Sequence, residues 1–157
     1  CTFTGNHAVH AGAVSTGKMT TAHLVGCTLW GNEADFGSAL SGDTDRPVLL
    51  ENSILAAGRG GAAVHYESDV FLRCCDVHGN EGGDWVGCIA GQQGLNGNLA
   101  LDPLFCDAPG GDFTLDESSP CAPAQAGDCG LIGAWEVGCG MVATRPRTWG
   151  GIKASFR

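Results

Sequence analysis

The chain has 157 residues, of which 43% are apolar, and a net charge of −9. Nucleic acids and anionic membrane surfaces demand clustered positive charge, so the balance argues against both as partners. Neutral or cationic polymers, or a divalent cation, are compatible with it. No run of 18 apolar residues is present, so no membrane span is expected.

The opening phrase Cys1-Thr2-Phe3-Thr4-Gly5-Asn6 returns three times. The copies are Cys27-Thr28-Leu29-Trp30-Gly31-Asn32, Asn52-Ser53-Ile54-Leu55-Ala56-Ala57 and Cys75-Asp76-Val77-His78-Gly79-Asn80, starting 26, 25 and 23 residues apart. A period of this size marks a repeat architecture. Alternation within each copy is that of a strand. Phe3, Leu29, Ile54 and Val77 form an inward ladder, and Thr2, Thr28, Ser53 and Asp76 an outward one. Two further runs align in each copy. The first is Gly12-Ala13-Val14-Ser15, Ser38-Ala39-Leu40-Ser41 and Ala62-Ala63-Val64-His65; the second is His23-Leu24-Val25, Val48-Leu49-Leu50 and Val70-Phe71-Leu72. Three short strands per copy describe one coil of an all-β parallel solenoid. A leucine-rich repeat lacks its leucines here. Helical repeats lack their i, i+3, i+4 spacing, and 26 glycines oppose them.

Asn6, Asn32 and Asn80 fall at one turn, where stacked asparagines can bond along the solenoid; Ala57 is the exception. Residues 81–105 break the period and read as an enlarged final coil. Residues 106–140 read as a disulfide-stapled cap over the last open core. The tail, 141–157, holds four of the eight basic residues (Arg145, Arg147, Lys153 and Arg157), and suits docking on the acidic body. The whole is one domain.

Nine cysteines point to an oxidising compartment. Cys1, Cys27 and Cys75 share an inward slot that Asn52 fills in the third copy. Cys27 and Cys75 are then two coil spacings apart, beyond disulfide reach, and read as buried thiols. In the cap, Cys121 with Cys129 is the first expectation for a bridge and Cys106 with Cys139 the second. An odd count leaves at least one thiol free or bonded elsewhere. The start at Cys1, without Met, suggests a mature or trimmed product, with an open first coil suited to end-to-end or edge association.

The phrase Cys-Thr-(Phe/Leu)-x-Gly-Asn resembles bacterial secreted proteins of the pectin-lyase-like superfamily. So do Gly83-Asp84-Trp85, Leu101-Asp102-Pro103-Leu104-Phe105-Cys106, Gly111-Asp112-Phe113-Thr114-Leu115 and Ser119-Pro120-Cys121-Ala122-Pro123. The resemblance implies a short right-handed parallel β-helix of about four coils, an extracytoplasmic location and a carbohydrate partner. Its activity is not fixed by it, because one fold hosts many functions.

Two sites follow. The outward ladder of the first strand places Trp30 as a stacking platform for a sugar, with Thr28 beside it. Asp76 and His78 then serve as acid and base, and Asp84 and Trp85 complete a groove. The alternative is that Trp30 and Leu55 are covered by a loop or a neighbouring chain. The second site is an acidic turn, where Asp43 and Asp45 align with Glu67 and Asp69. Pectate lyases of this fold bind Ca²⁺ through such acids, although Arg46, Arg59 or Lys18 can neutralise the patch instead. No complete pectinase or lyase catalytic set is present. The function expected is binding, with possible cleavage, of an extracellular polysaccharide; the other reading is a structural or adhesive segment without chemistry.

Overall fold

The computed structural model describes residues 1–140, and the basic tail lies outside the described residues. The first lap runs through β1 (Thr2–Thr4), β2 (His7–His10), β3 (Val14–Thr16) and β4 (Ala22–Val25). The second runs through β5 (Thr28–Trp30), β6 (Glu33–Phe36), β7 (Leu40–Gly42) and β8 (Val48–Glu51). The third comprises β9 (Ile54–Ala56), β10 (Arg59–Gly60), β11 (Val64–Tyr66) and β12 (Val70–Arg73), and β13 (Asp76–His78) opens the fourth. Each strand pairs in parallel with its equivalent one lap away. The result is four sheets: A (β1-β5-β9-β13), B (β2, β6, β10), C (β3, β7, β11) and D (β4, β8, β12). A bridge from Asp76 to Leu99 begins another turn, so the solenoid has about five turns rather than four.

The lap therefore has four strands, not three. Sheet B escapes sequence reading because its inward positions are Ala8, Ala34 and Gly60, which carry no apolar signal. Its outward positions include His7, Glu33 and Arg59, which look like a turn.

The register also differs in the third lap. Leu55, not Ile54, lies between Leu29 and Val77, so the inward column is Phe3, Leu29, Leu55 and Val77. Ile54 pairs with Thr28 and Asp76 and faces outward. A one-residue slip exchanges every side chain between faces. Here both faces are covered, with Ile54 and Leu55 each 0% exposed, so alternation carried no information. Ser53 accordingly takes the cysteine slot, and its hydroxyl accepts a bond from the Cys27 N–H at 3.1 Å. The expected column Val14–Leu40–Val64 fills one side of the core, and Leu24–Leu50–Leu72 another, the first lap standing one residue away from the expected alignment, which set Leu24 opposite Leu49.

The asparagine turn holds as a ladder. The Asn32 Oδ1 accepts from the Asn6 N–H, and Asn80 Oδ1 from the Gly58 N–H. Gly58, rather than Ala57, occupies the missing rung. A Cβ there would meet Ser38 Oγ and sit 2.6 Å from Asn80 Oδ1, which explains why no side chain fits.

The C-terminal residues do two separate jobs. Trp85 and Ile89, in and beside a 3-10 turn at Gly87–Gln92, plug the far end of the core. The piece that follows contains β14 (Phe105–Asp107), β15 (Asp112–Asp116) and β16 (Val137–Cys139), and packs against the flank of the solenoid, over sheet A. There Leu115, Cys121 and Ile132 join Ile54 and Ala56 in a second core.

Cys106 bonds Cys139 as expected, but Cys129 bonds Cys74 rather than Cys121. Cys121 sits as a buried thiol in the second core. The Cys74–Cys129 bond spans 55 residues, and closing a loop of that size removes about 4 kcal/mol of denatured-chain entropy. The double variant Cys74→Ala/Cys129→Ala should lose about 2–4 kcal/mol in denaturant unfolding. Thiol titration of the unreduced, denatured chain should count the five free cysteines. A count of seven or nine would contradict the pairing.

Candidate functional site

The face expected to hold a sugar is closed. After Cys129 the chain crosses sheet A as a strap, from the fourth lap to the first. Asn52 Nδ2 donates to the carbonyls of Cys129 and Leu131 at 2.7 and 2.9 Å. Further along, the Ala134 N–H donates to Thr28 Oγ1 at 3.0 Å, and Trp135 Nε1 donates to Thr2 Oγ1 at 2.8 Å. Thr28 is thus a docking point for the strap and is buried. Trp30 packs against Phe113, with ring centroids 5.6 Å apart, so the covered alternative holds for it. Trp85 is in the core, its Nε1 donating to the Leu99 carbonyl at 3.1 Å.

The proposed acid and base fare likewise. Asp76 is 0% exposed. Its Oδ1 accepts from the Leu101 N–H at 3.1 Å, and its Oδ2 faces the Cys121 thiol at 3.4 Å. Asp84 accepts from the N–H groups of Gly79 and Asn80 and from Asn80 Nδ2, closing the turn after β13. His78 is half-buried on the same sheet. The three lie close together, but Asp76 has no route to a ligand in solvent.

Burial pushes the Asp76 carboxyl up to about 6, against the lowering effect of the Leu101 and Cys121 bonds. Burial likewise raises Cys121, which stays a thiol.

The acidic turn is open but divided. Asp43 follows Gly42, and Glu67 follows Tyr66, so these two occupy equivalent positions in consecutive laps. Asp45 and Asp69 do not, because five residues (43–47) join β7 to β8 and three (67–69) join β11 to β12. Lys18 lies 3.8 Å from Asp43, and Arg46 Nε 3.9 Å from Asp45, which also accepts from the Met19 N–H. Among the described residues, no three His, Cys, Asp or Glu side chains converge to hold a metal ion. The four acids do not fit the multi-oxygen shell that Ca²⁺ takes.

What the structure adds is a trough along sheet C, on the outer side of laps one to three. A cavity of about 430 Å³ is bounded by His10, Ser41, His65, Asp43 and Glu67. A second, of about 520 Å³, adjoins it and is bounded by Met19, Thr44, Asp45 and Ser68. Asp43 and Glu67 border both. The floor is rigid: Thr16 Oγ1 bonds Tyr66 Oη at 3.2 Å beneath Gly42. A Cβ on Gly42 would meet the Thr16 carbonyl and sit 2.9 Å from the Tyr66 ring, so only glycine lets the two side chains join across the middle lap.

One rim of the trough is aromatic. His10 stacks on Phe36 with centroids 5.0 Å apart and planes 14° apart, and Phe36 meets His65 at 5.4 Å. Each ring comes from a successive lap, and Phe36 is 44% exposed. Sequence reading missed this stack because Phe36 ends a strand of the unrecognised sheet B. The available signal was the 26-residue spacing of His10 and Phe36, which is the lap period.

Comparison with protein-family models, with curated proteins and with solved structures returns no match. Among the described residues no helix is long and apolar enough to cross a membrane.

Asp76 supplies a check on this geometry. Its raised folded value means that protonation favours the native state. Its contribution is full below its ordinary value of 3.8 and is lost as pH rises through about 6. The shift corresponds to roughly 3 kcal/mol. Asp76→Asn should therefore flatten the fall in stability between pH 4 and about 7 and match or exceed the parent at neutral pH. Denaturant midpoints across that range test it; an Asn variant weaker than the parent at neutral pH, with an unchanged pH slope, contradicts the buried-carboxyl assignment.

Proposed function

We propose that this chain is an extracellular carbohydrate-binding β-helix module, similar to the pectin-lyase-like proteins, and that it holds a polysaccharide in the sheet-C trough. The observation that carries this reading is the His10–Phe36–His65 stack, a partly exposed aromatic edge beside a polar groove. Sugar rings present an apolar C–H face and a rim of hydroxyls. A site with an aromatic surface on one side and placed hydroxyl and carboxylate acceptors on the other answers both. Ser41, Asp43 and Glu67 supply those acceptors, and His10 and His65 can also donate. Two disulfides fit an oxidising, extracytoplasmic compartment.

The role is binding rather than cleavage. Asp76 is sealed against Leu101 and Cys121, so it cannot exchange a proton with a sugar in the trough.

A second reading, an adhesive or structural segment, draws on the outer face of sheet D. There Leu49 and Phe71 pair directly and Val25 lies diagonal to Leu49, at 40%, 51% and 54% exposed, an apolar patch of the kind that marks protein contacts.

A glycan array followed by calorimetry separates the two. The parent should bind at least one extracellular polysaccharide, and Phe36→Ala should weaken it about tenfold or more, near 1.4 kcal/mol. Trp30→Ala should lower the unfolding midpoint while leaving the affinity of the folded fraction unchanged. No binding across the panel removes the carbohydrate reading, and so does binding that Trp30→Ala abolishes while Phe36→Ala spares it.

A further inference from the structure

The trough has a sign. The cavity beside the aromatic rim is bounded by two carboxylates, Asp43 and Glu67, and by no Lys or Arg. Glu67 has no cationic partner among the described residues. Asp43 has one, Lys18, at 3.8 Å, with the two side chains 78% and 84% exposed. A pair that open to water is worth little, so an incoming cation can displace it. The second cavity adds Asp45 and contains the same single lysine.

One further feature bears on what enters. Asp43 and Glu67 occupy equivalent positions in consecutive laps, at the lap spacing of about 4.8 Å, which suits a ligand whose charges repeat along its length.

On the reading of the trough as a sugar site, we propose that its ligand is a polymer of amino sugars with free, protonated amines, set against the exposed edge of the His10–Phe36–His65 row and amine-first against Asp43 and Glu67. An N-acetylated sugar offers the ring without the charge. A uronate brings a further negative charge to two carboxylates of which only Asp43 has a cationic partner, in a pair open to water, and a cationic peptide brings the charge without the sugar ring that the aromatic edge meets.

The test is calorimetric titration of the intact chain with four probes of matched length, at low and high salt. They are a glucosamine oligomer, its fully N-acetylated form, a uronate oligomer and oligolysine. The glucosamine oligomer should bind at least tenfold more tightly than the acetylated form, and the uronate should not bind. That margin should shrink at high salt. Asp43→Asn/Glu67→Gln should erase the margin and keep the weaker binding of the acetylated form. Both side chains are exposed, so the variant's unfolding midpoint should match the parent's, which excludes misfolding as the cause.

Equal affinity for the two glucosamine forms, or a margin that survives the double variant, overturns the charge assignment and leaves the sugar reading intact. Oligolysine bound as tightly as the glucosamine oligomer, and as sensitive to Phe36→Ala, overturns it in favour of a basic peptide. No binding by any sugar removes both proposals together.

Discussion

The contact on which the molecule's layout depends is the one between Asn52 and the strap. Asn52 leads from the second lap into the third in a left-handed conformation, φ 48°, and its amide reaches the carbonyls of Cys129 and Leu131. Its own carbonyl accepts from the Gly133 N–H at 2.8 Å. Three bonds from one corner residue thus fix a segment almost eighty residues away, and the Cys74–Cys129 bridge anchors it one lap further on. With the strap in place, Ile54, Leu115 and Ile132 are each 0% exposed. Fully burying a side chain of that size contributes roughly 1.5–3 kcal/mol, so the flank is a real second core.

That closure decides which face can bind. A solenoid of this kind offers one outer surface per sheet. The strap takes sheet A, and small residues occupy much of sheet B, where His7 and Glu33 lie 3.5 Å apart. Sheet D presents an apolar patch. Only the side of sheet C, with His10 and Phe36 from the adjoining ends of sheet B, combines a groove, an aromatic rim and carboxylates. The Thr16–Tyr66 bond under Gly42 gives the trough a floor that packing already holds rigid, which spares a ligand the entropy of ordering it.

Much of the architecture was legible because solenoid laps repeat their demands. Leu29 and Val77 must fill the same slot, and Asn32 and Asn80 must make the same turn. Legibility failed where a repeat met something outside itself. Ile54 and Leu55 are both apolar because sheet A is buried on both sides, and that second burial comes from residues near 115 and 132. Asp76 looked like a surface acid in an outward ladder, and only the C-terminal residues folded against it, Leu101 and Cys121, make it a buried one. The pairing of Cys74 with Cys129 was hidden for the same reason, since Cys74 lies at a lap corner and its partner in the strap. Phe36 was lost with sheet B, whose Ala8, Ala34 and Gly60 leave no apolar trace.

The central claim is that sheet A is sealed and sheet C is open. Residue-resolved hydroxyl-radical footprinting reads both at once, each side chain being compared with its own rate in the unfolded chain. Ile54 and Ile132 should stay unmodified while His65 on sheet C, Phe36 at its rim and Leu49 on sheet D react readily. Ile54 labelled as fast as Leu49 would mean that the strap does not lie where the structure puts it, and the assignment of the binding face to sheet C would lose its basis.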